Sequence, residues 1–217
     1  MTFENKHDMI FIQISKQEAF FVELKYFADI IQGNIPTRIE VPVGYSIETI
    51  TMQELNYVAN VSDELPVEKH LTIQSDKLDT YSLTQENDVV ISLSSGKAIV
   101  IEGVRAGKLI LSNLAIIRIK DINKLDPYYL CWYINNNKAT IKKLQQGTAA
   151  VSIIPLSMLK SFEIELLPIK TQQSIGIINE LKRQRDRITR TIEIKKADVL
   201  SQQLMKIYKK ETKDGNK

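Results

Sequence analysis

Residues 171–212, TQQSIGIINELKRQRDRITRTIEIKKADVLSQQLMKIYKKET, decide the architecture. Between Gly176 and Gly215 there is neither Gly nor Pro, so nothing in the stretch interrupts a helix. Apolar residues recur at Ile175, Ile178, Leu181, Ile188, Ile192 and Val199, then at Leu200, Leu204 and Ile207, the spacing of a helical face. Arg185 and Lys195 or Lys196 break the stripe. Forty helical residues extend about 60 Å, more than one globular body of this size covers. The spacing therefore predicts a rod whose apolar edge, Ile178, Leu181, Ile188, Ile192 and Val199, requires a partner helix.

The rod is also the basic part of the chain. From Lys170 to Lys217, 13 Lys and Arg stand against 6 Asp and Glu, a net of +7. The 169 residues before it carry 16 basic and 20 acidic groups, a net of −4. A basic helix attracts nucleic acid, an acidic partner or a membrane surface. The same composition equally suits the solvated face of a coiled coil.

Ahead of the rod, at 217 residues in total, there is room for one domain of ordinary size. MIFIQI at 9–14 reads as a short strand. Glu18 to Ile31 reads as a helix, from Phe21, Leu24, Phe27, Ala28 and Ile31, ended by Gly33–Asn34 with Pro36 beyond. From Arg38 to Ile73 extended runs alternate with loop signals at Pro42, Gly44 and Pro66, with one helical turn at Thr51–Leu55. A strand from Asp88 and another from Lys97 flank Ser94-Ser95-Gly96, which favours a hairpin. Lys108-Leu-Ile-Leu and Ala115-Ile-Ile-Arg-Ile-Lys supply two more strands. A helix is predicted from Tyr128 to about Gln145, with Asp126 as N-cap, Pro127 in its first turn and Gly147 ending it. Leu156–Leu159 forms a further turn, and Phe162-Glu-Ile-Glu-Leu-Leu a closing strand halted by Pro168. The fold class is α+β: a mixed, strand-rich body at 1–168, a long helix at 169–212 and a disordered tail at 213–217.

Catalytic constellations are missing from this pattern. No GxxxxGK[ST] phosphate loop, GxGxxG or GxSxG elbow occurs. Cys131 is the single cysteine, which excludes an intrachain disulfide and a cysteine metal cage; beside Tyr128, Tyr129, Trp132 and Tyr133 it reads as a buried apolar residue. His7 and His70 lie far apart, and no metal is expected. The carboxylates Asp186 and Glu193, and Glu163 and Glu165, read as solvated charge. Leu125-Asp-Pro-Tyr-Tyr resembles the Asp-Pro-Pro-Tyr of amino-methyltransferases, but the second proline and a cofactor-binding Gly motif are missing, and a capped helix start explains it. The opening residues lack a signal-peptide layout and no run of about 18 apolar residues occurs, so the chain reads as cytoplasmic.

Taken in order, several segments resemble the specificity subunits of type I restriction–modification systems. Leu24-Lys-Tyr-Phe-Ala-Asp-Ile-Ile-Gln-Gly-Asn is similar to the opening of their target-recognition domain. Leu83-Thr-Gln-Glu-Asn-Asp-Val-Val-Ile-Ser and Ser112-Asn-Leu-Ala-Ile-Ile-Arg resemble two of its strands. Asp126-Pro-Tyr-Tyr-Leu-Cys-Trp-Tyr-Ile, Gln146-Gly-Thr and Pro155-Leu-Ser-Met-Leu resemble its later region, and Phe162-Glu-Ile-Glu-Leu-Leu-Pro-Ile-Lys-Thr-Gln-Gln-Ser-Ile the junction into a conserved helix. The likeness covers about residues 20–210. Lys170-Thr171 stands where an acidic residue usually precedes Gln, and Leu167 precedes a single proline.

The resemblance implies a non-catalytic, half-length subunit with one recognition domain, binding double-stranded DNA and pairing with itself through an antiparallel helix pair. Its partners would be methyltransferase subunits, with or without a restriction subunit. S-adenosylmethionine would belong to the methyltransferase; this chain itself needs no cofactor. Two-fold pairing implies a bipartite palindromic site. On a body with net negative charge, phosphate attraction requires clustered cations. The candidates are Arg38, Lys97, Arg105, Lys108, Lys138, Lys142 and Lys143, with Asn34, Gln145 and Gln146 as readers of base edges. For each taken singly, a solvated surface side chain is the more ordinary explanation. Two other classes stay open: a protein-interaction scaffold with no DNA, and a detached piece of a methyltransferase.

Overall fold

The runs Val89–Ser92 (β5), Ala98–Val100 (β6) and Leu114–Ile119 (β8) are apolar at nearly every position because they are covered on both faces. A computed structural model describes residues 20–137 and 153–214. In it these strands and β2 (Ala28–Gln32) form an antiparallel sheet in the order β2-β8-β5-β6. Val90 sits opposite Ile116 on one neighbour and Ile99 on the other. The alternation sorts the side chains strictly. Val89, Ile91, Ala98, Val100, Ala115 and Ile117 enter one core, while Val90, Ile99, Leu114 and Ile116 enter another.

Helix α3 (Pro127–Asn136), packed with α4 (Leu156–Lys160) against the first core, covers one face. Asp126 caps α3 by accepting the Tyr129 amide at 2.8 Å, and Pro127 takes N1. The other face is covered by α2 (Met52–Val58), capped by Thr51 Oγ1 accepting the Glu54 amide at 3.0 Å. A smaller sheet, β4-β3-β7, carries a third cluster of Ile47, Leu71, Ile73 and Leu109. Here β3 (Glu40–Ile50) runs antiparallel to β4 (Lys69–Ile73) and parallel to β7 (Leu109–Ile110). Finally β1 (Phe20–Glu23) pairs with β9 (Glu163–Leu166), tying the start of the described body to the strand before the rod.

Helix α5 then runs from Ile169 to Asp214, 46 residues or about 69 Å. A mixed, strand-rich body followed by one long helix is thus the observed class. The helix exceeds the expected 169–212 by its last two residues.

Two local expectations fail. Glu18 to Ile31 is not a helix over its described part: β1, a 3₁₀ turn at Leu24–Tyr26 and β2 replace it. The spacing of Leu24, Phe27, Ala28 and Ile31 suits a helix, but pairing of β2 along the whole edge of β8 wins. Gly33 is accordingly no helix terminator. A Cβ there would lie 2.0 Å from the Leu111 carbonyl oxygen, so the residue permits two backbones to pass. Pro36 begins a single turn, α1 (Pro36–Ile39). Helix α3 ends at Asn136, not near Gln145, because Asn137 turns extended. The strand expected at 9–14, and Gly147, lie outside the described residues.

Candidate nucleic-acid interface and helix junction

The rod is fastened to the body at two places. Gln172, fully buried in the first turn of α5, accepts the Asp126 amide at 2.9 Å. Its Nε2 donates to the carbonyls of Lys124 and Leu167 at 3.0 and 2.7 Å. One turn on, a Cβ at Gly176 would sit 2.7 Å from Tyr128 Cβ and 2.9 Å from Asp126 Oδ1. Only a glycine lets α5 lie this close to α3.

The second fastening is Asn60, which follows α2 with φ of 58°. This is the left-handed region that Asn enters more readily than most residues. Its Nδ2 donates to the Arg183 carbonyl at 2.8 Å. Its Oδ1 accepts from Arg187 Nε at 3.3 Å, and its backbone oxygen from Arg190 at 3.1 Å. The Arg187 guanidinium also lies over the Tyr57 ring at 5.4 Å and donates to the Val58 carbonyl.

At 100° per residue, Gln172, Gly176, Asn179, Arg183, Arg187 and Arg190 share one side of α5. The expected seam lies about 180° around the same helix. Ile178, Leu181, Ile188, Ile192 and Val199 are exposed, at 67, 60, 61, 47 and 53%. The apolar edge therefore points away from the body that holds the rod. Of the interruptions, Arg185 donates to Asp186 at 2.8 Å and Lys196 pairs with Glu193 at 2.9 Å. Beyond Arg190 the helix leaves the body, and every residue from 191 to 209 is exposed.

Of the cations expected to meet DNA, Arg38, Lys97, Arg105 and Lys108 lie among the described residues. Arg105 and Lys108 are committed inside the protein. Arg105 Nε donates to Glu54 at 3.1 Å, and Lys108 Nζ reaches the same carboxylate at 3.2 Å and also hydrogen-bonds Glu48. Burial disfavours the Lys108 ammonium, but the hydrogen bond to Glu48 and the charge of Glu54 more than compensate, and its pKa is raised. Asn34 is half-buried. Its Oδ1 accepts the Ser82 amide at 2.7 Å, so that lone-pair face is spent within the fold. Arg38 is exposed at the end of α1. Lys97 follows the β5–β6 turn, where Ser92 Oγ accepts the Ser95 amide at 3.1 Å and Gly96 takes φ of 68°. It lines a cavity shared with α5. Lys138, Lys142, Lys143, Gln145 and Gln146 lie outside the described residues.

Asp88, one of the residues carrying the family resemblance, has a structural task. It is buried, accepts two hydrogen bonds from Arg118 at 2.9 and 2.7 Å, and accepts the Gln85 amide at 2.7 Å. Burial pushes the Cys131 thiol up to about 11, which keeps it a neutral thiol at physiological pH. Among the described residues, no group of His, Cys, Asp and Glu could hold a metal, and no helix is long and apolar enough to cross a membrane.

Sequence reasoning missed Gln172, Gly176, Asn60 and Arg183. A glycine near the start of an otherwise unbroken helix is the one signal that pointed to close packing.

No family model matches the sequence, and no curated protein does. Solved structures do. A chain from a structure of a type I R-M system, described for its complex assembly and conformational transition, superposes with a TM-score of 0.55 at 19% identity. The match covers 79% of this chain and 39% of that one. The HsdS subunit from Thermoanaerobacter tengcongensis gives 0.52 at 19% identity, covering 79% of this chain and 38% of its own. The chain spans about two fifths of the length of either, and the likeness is one of fold.

Proposed function

We propose that this chain is a DNA sequence-recognition subunit of a type I restriction–modification (methyltransferase) complex. It acts as a homodimer that positions methyltransferase subunits on a bipartite palindromic site. The observation that carries the reading is the orientation of α5. A body with the HsdS-like fold holds the rod by one side and presents the opposite, apolar side outward. Pairing that edge with a second copy, antiparallel, sets two bodies at opposite ends of a shared rod. Each seam residue contributes about 1.5–3 kcal/mol on full burial, before entropy.

Bond-making belongs to the methyltransferase partners, which bring S-adenosylmethionine; this chain selects the sequence. A restriction subunit joins the same assembly where cleavage accompanies modification. The complex works in the cytoplasm, where host DNA is. Arg38, Lys97 and Asn34, through its remaining amide N–H groups, are contacts within this reading, together with Lys138, Lys142, Lys143, Gln145 and Gln146.

The neutralisation of Arg105 and Lys108 by Glu54 and Glu48 favours a second reading: a scaffold whose basic rod binds an acidic protein, without DNA selectivity. Methylation mapping of host DNA with and without the gene separates the two. A modified bipartite motif that disappears with the gene supports the specificity subunit. An unchanged methylome, together with unselective DNA binding when the methyltransferase is added, supports the scaffold.

A further inference from the structure

A cavity of about 180 Å³ opens where the β5–β6 turn, the ends of α2 and α3 and the stretch 179–186 of α5 converge. Lys97 comes to it from the turn, and Lys182 and Arg183 from the rod. Among the described residues, neither the Lys97 nor the Lys182 ammonium makes a hydrogen bond or an ion pair. The third cation is stranger. The Arg183 side chain is only 13% exposed and pairs through Nη2 with Glu180 at 2.6 Å. Its Nε is the buried side-chain atom that has no hydrogen-bond partner among the described residues. A buried N–H without an acceptor costs about 1–3 kcal/mol, so the Arg183 charge beside the cavity is held at a cost. One carboxylate, Asp186, shares the cavity; Arg185 hydrogen-bonds it at 2.8 Å, and the Lys182 charge acts on it as well. Asn179 adds an amide that can donate.

We propose that this cavity is an anion site for a phosphoryl group, held by Lys97, Lys182 and Arg183, and that in the DNA-bound protein the group is a backbone phosphate. The second half rests on the specificity-subunit reading; the first does not. The Lys97 and Lys182 ammonium groups, with the Arg183 guanidinium behind them, supply the positive charge. Because Lys97 belongs to the body and Lys182 to the rod, one phosphate would bridge both and fix the register of DNA on the pair.

The test uses the full chain and the variant Lys97→Gln/Lys182→Gln, with its circular dichroism matched to the parent. Inorganic phosphate is titrated against chloride at constant ionic strength, followed by the amide NMR shifts of Asn60, Lys97 and Lys182. Saturable shifts whose Kd rises about tenfold or more in the variant, and return with Lys97→Arg/Lys182→Arg, support the anion site. Shifts that do not saturate, or that the variant leaves unaltered, overturn it. Duplex DNA supplies the second arm, with methyltransferase present. A slope of log affinity against log salt that falls by about 1 in the variant, with motif preference kept, identifies the backbone phosphate. An unchanged slope in protein that binds DNA rules out that source. If parent protein shows no DNA selectivity yet phosphate saturates, the specificity-subunit reading fails and the anion site stands.

Discussion

Gln172 accepts the backbone N–H of Asp126, and Asp126 in turn accepts the N–H of Tyr129, so one chain of hydrogen bonds joins the start of α5 to the start of α3. The Gln172 amide is wholly buried and fully used, with two carbonyls on its nitrogen.

Gln172→Leu retains much of the volume and strands three backbone groups. The expected loss is about 3 kcal/mol or more, at about 1–3 kcal/mol for each stranded group. Urea unfolding at neutral pH measures it. A loss below about 0.5 kcal/mol, the level of an ordinary surface change, would mean that the clamp contributes nothing.

Gly176→Ala sets helix propensity against space. Alanine favours an isolated helix by about 1 kcal/mol, yet its Cβ meets Tyr128 Cβ at 2.7 Å. Overpacking of this kind costs about 1–3 kcal/mol, so the net effect is destabilising, with faster amide exchange at Tyr129 and Leu130. A stabilised protein would show that α5 slides away from α3 at little cost.

Ile188→Asp combined with Ile192→Asp places two carboxylates on the outward edge and leaves the Asn60 grip intact. The mass by light scattering falls to that of one chain, while the melting of the body is unchanged. The same oligomer in parent and variant would refute pairing through this seam.

Lys108 links stability to alkaline pH. Its folded-state pKa lies above the ordinary 10.5, so its stabilising contribution is complete below about 10.5 and vanishes as pH climbs through the raised value. Lys108→Met removes that dependence. Its unfolding midpoint declines less than the parent's above pH 10.5; parallel decline in both would show that the pair with Glu48 and Glu54 is not responsible.

Cys131 is 4% exposed, and burial pushes its thiol up to about 11. Iodoacetamide should leave it unmodified in native protein at neutral pH and alkylate it once urea unfolds the body. Prompt native alkylation, followed by mass spectrometry, would contradict the packing of α3 on β6.

The parts legible in the sequence were those whose pattern is local. β5, β6 and β8 read as strands because double-sided burial leaves continuous apolar runs, and α5 because a glycine- and proline-free stretch keeps one period. Leu24, Phe27, Ala28 and Ile31 misled because their spacing suits a helix, and the deciding partner, Ala115–Ile119, lies far along the chain. Distance hid the site as well. Nothing near Arg105 or Lys108 reveals that Glu54 and Glu48 consume their charge, and Asn60 reaches Arg183 across 123 positions.

Asn60 grips the rod at Arg183, Arg187 and Arg190, which locks rotation about the rod's own axis as firmly as its tilt. Each residue added or removed beyond Arg190 then shifts whatever the distal end carries by about 1.5 Å and spins it by about 100°. Length and azimuth are geared together, so a heptad insertion, with about 20° of net drift, is tolerated where a two-residue insertion presents the wrong flank.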